Sequence, residues 1–172
     1  MIEPGGRIVS FRWTDPRSPD FPDRVRLLRI MAELGARQLA VRAWTLQALK
    51  AAGLTDARNR GAVAAAILRY AHRTMVWARE IDEQFVRPDI TIDMGGGDCD
   101  DLAMLVYAAL RSVGVPPEHL EFRFLRNRDS WFHVWIVVFL ERVGWYHLEP
   151  SIAGIAPGAS PLPLVQRARA MV

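Results

Sequence analysis

The chain has 172 residues, and 51% of them are hydrophobic, which suits one domain with a packed core and excludes global disorder. The formal net charge is only +3, and all of the 22 basic residues except Lys50 are arginines spread along the chain. Because the basic residues form no concentrated patch, we expect no nucleic-acid partner.

The sequence contains one cysteine, Cys99, so an intrachain disulfide cannot form. A single free thiol fits a reducing compartment and remains available for chemistry. The first 13 residues lack the basic start and the apolar run of a signal peptide, and the longest apolar stretch is far too short to span a bilayer. We therefore expect a soluble protein of the cytoplasm with no membrane partner.

The first 22 residues are rich in Gly, Pro and Asp and predict an irregular arm in which only residues 7–13 resemble a strand. Apolar residues then recur at three- and four-residue spacings, which is the period of a helix packed on a core. This spacing predicts four helices, over residues 23–34, 37–52, 62–85 and 99–113. The segment 88–97 is predicted to be a loop, since it ends in three consecutive glycines.

After the helices the pattern changes to that of strands. Alternating, β-branched and aromatic residues predict three of them, over residues 120–125, 131–140 and 144–148. Helices first and strands afterwards indicate an α+β fold, in which the last helix packs on a small antiparallel sheet. We expect the domain to span residues 23–152, between the arm at 1–22 and a tail at 153–172 that ends in a short helical segment over 162–171.

Cys99 follows the glycine loop and begins an apolar-periodic helix. The unpaired N–H groups and the dipole of a helix N-terminus favour a thiolate, the nucleophilic form of cysteine, and can also bind an oxyanion. Asp98 is expected to cap this helix, while Asp100 and Asp101 favour its dipole and face water. Because water screens these aspartates, the helix terminus and a close His133 should dominate, and we expect the pKa of Cys99 to lie below the value of about 8.5 for a free thiol.

The aspartates beside Cys99 also raise the question of a metal site. Hard carboxylates next to a single soft thiolate fit a structural zinc site poorly. We therefore expect neither a metal nor another cofactor.

A nucleophilic thiol needs a base within hydrogen-bond reach, and the base needs a partner that orients it. His133 lies in the predicted second strand, where a polar ring is unusual, and Glu149 ends the next strand. In an antiparallel hairpin Glu149 returns to the level of His133 on the same face. The residues therefore predict a site with Cys99 as nucleophile, His133 as base and Glu149 as the group that orients the base. His119 and His147 are expected at the surface, outside this site.

Three segments carry a resemblance to a known family: Gly-Asp-Cys-Asp-Asp-Leu-Ala at 97–103, Phe-His-Val-Trp at 132–135 and Trp-Tyr-His-Leu-Glu-Pro at 145–150. Their order resembles the transglutaminase-like superfamily, and the first segment is similar to transglutaminase-like cysteine peptidases found among bacteriophage and prophage proteins. The family usually has Asp where this chain has Glu149.

The resemblance implies a papain-like, transglutaminase-like core and a thiol-dependent peptidase or amidase that uses Cys99, His133 and Glu149 and needs no cofactor. It also implies a protein or peptide substrate, or other phage structural proteins as partners, in the host cytoplasm or the virion.

Two alternatives stay open at this point. If an amine rather than water accepts the acyl group, the enzyme is a protein-crosslinking transglutaminase. The other alternative is a non-catalytic phage morphogenesis or virion module that keeps the fold. Trp77, Trp131 and Trp135 are expected to pack in the domain, and the sequence does not decide whether one of them donates an indole N–H to the oxyanion.

Overall fold

The computed structural model describes residues 8–11, 20–78, 83–126 and 131–163. Within these ranges the helices are α1 (Asp20–Ala36), α2 (Leu39–Ala51), α3 (Arg60–Thr74), α4 (Pro88–Met94) and α5 (Cys99–Ser112). The strands are β1 (Ile8–Phe11), β2 (Val76–Trp77), β3 (Glu83–Val86), β4 (Gly96–Gly97), β5 (Leu120–Arg126), β6 (Trp131–Leu140) and β7 (Gly144–Leu148). Helices dominate the first part of the chain and an antiparallel β5–β7 sheet the second, so the predicted α+β class is confirmed.

Helix α5 lies at the centre of the domain. All of its residues from Asp100 to Leu110 are buried, and the helix packs against the other four helices and β6. An apolar surface on every side is typical of a helix enclosed by protein. Each buried apolar Å² contributes about 25 cal/mol to stability, so this packing holds α5 firmly in place. The position of α5 in turn fixes the position of its first residue, Cys99.

The three-stranded sheet has the order β5-β6-β7, and both strand pairs are antiparallel. One face joins the core around α5 through the alternate residues Val134, Ile136, Val138 and Leu148. The pleat sends the intervening side chains of β6 to the other face. These side chains, His133, Trp135 and Val137, are also buried. The middle strand is therefore enclosed on both faces where His133 lies.

The predicted helix over residues 62–85 is wrong beyond Thr74. Helix α3 ends there, and Met75 is extended, with φ −110° and ψ 142°. Strand β2 then pairs in parallel with β4, so that Val76 lies opposite Gly96. The partner strand lies far along the chain, which is why helical spacing alone did not reveal it.

The predicted loop at residues 88–97 contains the short helix α4. Pro88 lies in the first turn of α4. The backbone N–H that proline lacks would have no intrahelical acceptor at that position, so the helix loses no hydrogen bond. Gly95 ends the helix in the left-handed conformation, at φ 74°. Arg87 and Asp89, which form a buried bidentate ion pair, join the start of α4 to the residue before it.

Strand β1 pairs with β3, so the strand expected near the N-terminus is confirmed for residues 8–11. Helix α1 begins at Asp20, before the end of the predicted arm. The rest of the arm, at residues 12–19, and the tail helix beyond residue 163 lie outside the described residues. In the part of the chain that the structure describes, none of the helices has the length and apolar character needed to cross a bilayer.

Candidate active site

Strands β2 and β4 hold the glycine loop that precedes Cys99. The N–H of Val76 donates to the carbonyl oxygen of Gly95 at 2.9 Å. A Cβ atom on Gly96 would lie 2.1 Å from the carbonyl oxygen of Val76, so only glycine fits there without a shift of the backbone. The loop that delivers the thiol is therefore shaped by a close approach of two strands.

Cys99 is the first residue of α5, and its side chain is half-buried. Asp98 caps the helix as predicted, because its carboxylate accepts the backbone N–H groups two and three residues later, at 3.2 and 3.4 Å. These two N–H groups are engaged by the cap and are not available to an oxyanion. The backbone N–H of Val134 in β6 lies close enough to Cys99 to favour the thiolate and so to lower the pKa of the thiol. The thiol therefore lies against the strand that carries His133.

His133 and Glu149 meet on one face of the sheet. Ile136 lies opposite Leu148, and continuing this register places Glu149 opposite Trp135 and diagonal to His133. Nε2 of His133 lies 2.6 Å from Oε2 of Glu149, and both side chains are buried. The predicted contact between these two residues is present. Because a carboxylate only accepts hydrogen bonds, Nε2 donates, which leaves Nδ1 as the ring nitrogen that can take up a proton.

The second oxygen of the Glu149 carboxylate is also occupied. Oε1 accepts the backbone N–H of Ser151 at 2.8 Å and its hydroxyl at 2.6 Å. The backbone carbonyl of Glu149 accepts a hydrogen bond from Nε2 of His72 in α3 at 2.7 Å. Glu149, which is 0% exposed, is thus held at three of its oxygen atoms.

Sequence reasoning did not identify Ser151 or His72 as neighbours of the site. A hydroxyl residue two positions after the acid, beyond Pro150, is a local signal from which the Ser151 contact could have been found. His72 gives no such signal, because it lies in the last turn of α3 and reaches Glu149 only through the tertiary packing.

The ring of Trp135 lies next to His133 on the same face of the sheet, and the ring of His147 lies next to Trp135. The rings of His133 and Trp135 stack at 6.0 Å, and those of Trp135 and His147 at 6.2 Å. Nε1 of Trp135 donates to Nδ1 of His147 at 3.0 Å, so this indole N–H is not directed at an oxyanion. His147, which we expected at the surface, is half-buried, and burial lowers its pKa, with Arg123 adding to the shift.

Two further expectations about aromatic residues change. Trp77 was expected to pack but is 52% exposed, opposite Gly97 in the β2–β4 pair. His119 was expected to be solvated, yet it is half-buried, with Nδ1 2.9 Å from Nη1 of Arg60. The side chain of Trp131 lies outside the described residues.

The electrostatic environment of the thiol differs from the expectation. Asp100 and Asp101 do not face water, because they are 1% and 0% exposed. Burial raises the pKa of the Cys99 thiol well above its ordinary value, and the negative charges of Asp100, Asp98 and Glu149 raise it further. The backbone N–H of Val134 acts in the opposite direction and is outweighed. The predicted depression of the Cys99 pKa is therefore wrong, because packing removes the water that was expected to screen the aspartates.

The same residues bear on metal binding. Among the described residues, Asp98, Cys99 and Asp100 form a group whose ligand atoms lie within 4.8 Å of one another. Two hard carboxylates and one thiol match neither a zinc site nor an all-oxygen site, and Asp98 is already engaged as the helix cap. The donor set does not fit a resident metal, and the absence of a cofactor remains a prediction.

The fold, the thiol at the start of α5 and the contact between His133 and Glu149 define a class of protein that comparison with known families identifies. The sequence model of the transglutaminase-like superfamily matches residues 47–150, which is more than half of the chain. The chain therefore belongs to the transglutaminase-like superfamily. This superfamily includes cysteine peptidases and transglutaminases, and the matched range contains Cys99, His133 and Glu149. No curated protein and no solved structure matches the chain.

Proposed function

We propose that this protein is a thiol-dependent acyl-transfer enzyme in which Cys99 is the nucleophile, His133 the base and Glu149 the group that orients the base. The observation that carries the proposal is the buried 2.6 Å contact between His133 and Glu149. The next residue of the His133 strand, Val134, lies close enough to Cys99 for its backbone N–H to lower the pKa of the thiol. A nucleophile, a base and an orienting carboxylate in this order are the components that covalent catalysis requires.

The reaction follows from the protonation of these groups. Because burial and the nearby carboxylates raise the pKa of Cys99, the proposed mechanism starts from the neutral thiol. Nδ1 of His133 takes the thiol proton as sulfur attacks the amide carbonyl, which makes His133 a general base. The proton passes to the leaving amine as the C–N bond breaks, and a thioester remains on Cys99. A second nucleophile, assisted by His133, then releases the acyl group and regenerates the thiol.

We propose water as this second nucleophile, so that the enzyme is a cysteine peptidase or amidase acting on a protein or peptide. The support is the resemblance of residues 97–103 to the phage-associated peptidase group, which also underlies our proposal of a phage origin. On this proposal the enzyme acts in the host cytoplasm or in the virion. Transfer to an amine, as in a crosslinking transglutaminase, uses the same thioester and is the alternative outcome of the activity test.

A second candidate function is a non-catalytic module of phage assembly. The observation that favours it is the raised pKa of Cys99, since a thiol that resists ionisation is a poor nucleophile. The contact between His133 and Glu149 weighs against it, because a buried imidazole held by a buried carboxylate is the arrangement that a general base requires.

Turnover of peptide amides tests the proposal directly. We expect the wild-type protein to release amine from a panel of fluorogenic peptide amides, and Cys99→Ala and Cys99→Ser to lose the activity. Incorporation of a fluorescent primary amine into a glutamine-rich protein separates transfer from hydrolysis. The control is Ser112→Ala at the opposite end of α5, which should retain the wild-type rate. Absence of both hydrolysis and amine incorporation across the panel would leave the assembly module as the better reading.

A further inference from the structure

The side chain of Glu149 has one more rotatable bond than that of aspartate. A carboxylate that orients an imidazole must itself keep a fixed orientation relative to the ring. For a solvated glutamate the terminal torsion is broad. Here the carboxylate is fully enclosed, and each of its oxygens has a partner: Oε2 faces His133, and Oε1 faces Ser151. The angular freedom that the longer side chain introduces is therefore removed at Oε1.

Ser151 binds Oε1 twice, through its backbone N–H at 2.8 Å and its hydroxyl at 2.6 Å. Hydrogen bonds to a charged acceptor are shorter and stronger than neutral ones, and two donors from one residue define a direction as well as a distance. Pro150, which precedes Ser151, is buried and restricts the backbone between the acid and its two donors. The segment from Glu149 to Ser151 therefore forms a local clamp on the carboxylate.

We propose that Ser151 is a positioning residue that fixes the Glu149 carboxylate so that Oε2 meets Nε2 of His133, and so allows glutamate to orient the base. The inference rests on the proposed function, because the base is oriented for the acyl transfer at Cys99. Ser151 acts through Glu149 and takes no part in bond making or breaking.

The test compares Ser151→Ala, Ser151→Thr and Ser112→Ala. Ser151→Ala keeps the backbone N–H bond but loses the hydroxyl bond, and removal of one hydrogen bond to a charged group should lower kcat about tenfold to a hundredfold, with KM little changed. Ser151→Thr keeps a hydroxyl and should restore most of the rate. Ser112→Ala also loses a half-buried hydroxyl, bonded to the carbonyl of Ala109, at the far end of α5, and should leave both constants unchanged.

A second measurement does not depend on turnover. The Nε2 proton of His133, held at 2.6 Å from Glu149, should give a slowly exchanging imidazole resonance in ¹⁵N-edited NMR spectra. In Ser151→Ala this proton should exchange faster with water, and in Ser151→Thr it should be protected again. A merely structural role of Ser151 would change the unfolding free energy without changing this resonance in the folded protein.

The two readouts separate the two proposals. If the wild-type protein turns over amides but Ser151→Ala changes neither kcat nor the imidazole resonance, the positioning role is overturned and the proposed function stands. If the wild-type protein is inactive on every substrate, the proposed function fails. In that case a resonance that depends on the Ser151 hydroxyl still supports the clamp on Glu149, and an unchanged resonance overturns it.

Discussion

The two ends of α5 place charge next to buried groups in opposite ways. At the C-terminal end, Glu33 accepts hydrogen bonds from the hydroxyl of Tyr107 at 2.9 Å and from Nε of Arg111 at 2.8 Å. At the N-terminal end, the carboxylates of Asp98 and Asp100 lie beside the thiol of Cys99. At the C-terminal end the acid Glu33 is paired with a phenol and a guanidinium that donate to it. At the N-terminal end the acids lie beside a thiol that would itself become negatively charged on ionisation.

The pKa shifts express this difference. Burial raises the pKa of Glu33, but hydrogen bonds from Arg111 and Tyr107 outweigh it, so the pKa lies below its ordinary value. Burial together with Glu33 raises the pKa of Tyr107 to about 12, which keeps the phenol a donor at neutral pH. At the other end burial and Asp100 both raise the pKa of Cys99. The C-terminal end is arranged for stability, and the N-terminal end accepts an electrostatic cost beside its thiol.

Removing the carboxylate charge at each end should produce the largest contrast. Glu149→Gln removes the negative partner of His133 and should lower kcat/KM by about 10⁴, by analogy with the loss of a triad carboxylate. Glu149→Asp should keep much of the activity, because it retains the charge. The matched variant at the other end, Glu33→Gln, should leave kcat/KM unchanged. Steady-state kinetics on one peptide amide decides the matter, and equal, negligible losses in both Glu149 variants would remove Glu149 from the orienting role.

Removing a charge beside the thiol should change its reactivity. We expect the pH midpoint for alkylation of wild-type Cys99 by iodoacetamide to lie above the value of about 8.5 for a free thiol, because burial and Asp100 raise the pKa. Asp100→Asn should move the midpoint to lower pH and so increase the alkylation rate at neutral pH. Asp93→Asn, at an exposed position on α4, is the control and should have no effect. A wild-type midpoint below that of a free thiol would mean that burial and Asp100 do not raise the pKa of Cys99.

A methyl group in the glycine loop should disturb the N-terminal end selectively. Gly96→Ala places a Cβ against the carbonyl oxygen of Val76, and such overpacking costs about 1–3 kcal/mol. Because the same loop delivers Cys99, activity should fall in the fraction that remains folded. Gly114→Ala, just beyond α5, is strained by its φ of 90° but meets no atom within 4 Å. It should therefore lose stability with no loss of specific activity, as measured by urea unfolding and an active-site titration.

The smallest expected effect is the pH dependence of the ion pair at the C-terminal end. The folded pKa of Glu33 is depressed, so its contribution to stability is present above the unfolded pKa and is lost as the pH falls through the folded value. Glu33→Gln should lower the free energy of unfolding by about 1 kcal/mol at pH 7, and the difference should shrink below about pH 4. Urea unfolding at several pH values measures it, with Glu118→Gln, at an exposed position, as the control. A difference that grows with acidity would mean that Glu33 is not stabilised as its ionised form.

Local rules were enough for much of the fold. The start of α5 at Cys99 follows from the glycine loop, the capping Asp98 and an apolar period, all within a few residues. Strands β5–β7 follow from β-branched and aromatic runs, and the contact between His133 and Glu149 follows from the parity of a hairpin. The prediction failed at α3, where β2 depends on pairing with a distant glycine pair.

The sequence by itself determined the class of fold, the position of the thiol at a helix N-terminus and the face that His133 and Glu149 share, because each depends on short-range periodicity. Only the tertiary structure decided that Asp100 is enclosed, that Val134 lies close to Cys99 and that His72 reaches Glu149. The physical reason is that the pKa of a group depends on its distance from charges and on the exclusion of water, and both are set when distant segments pack together.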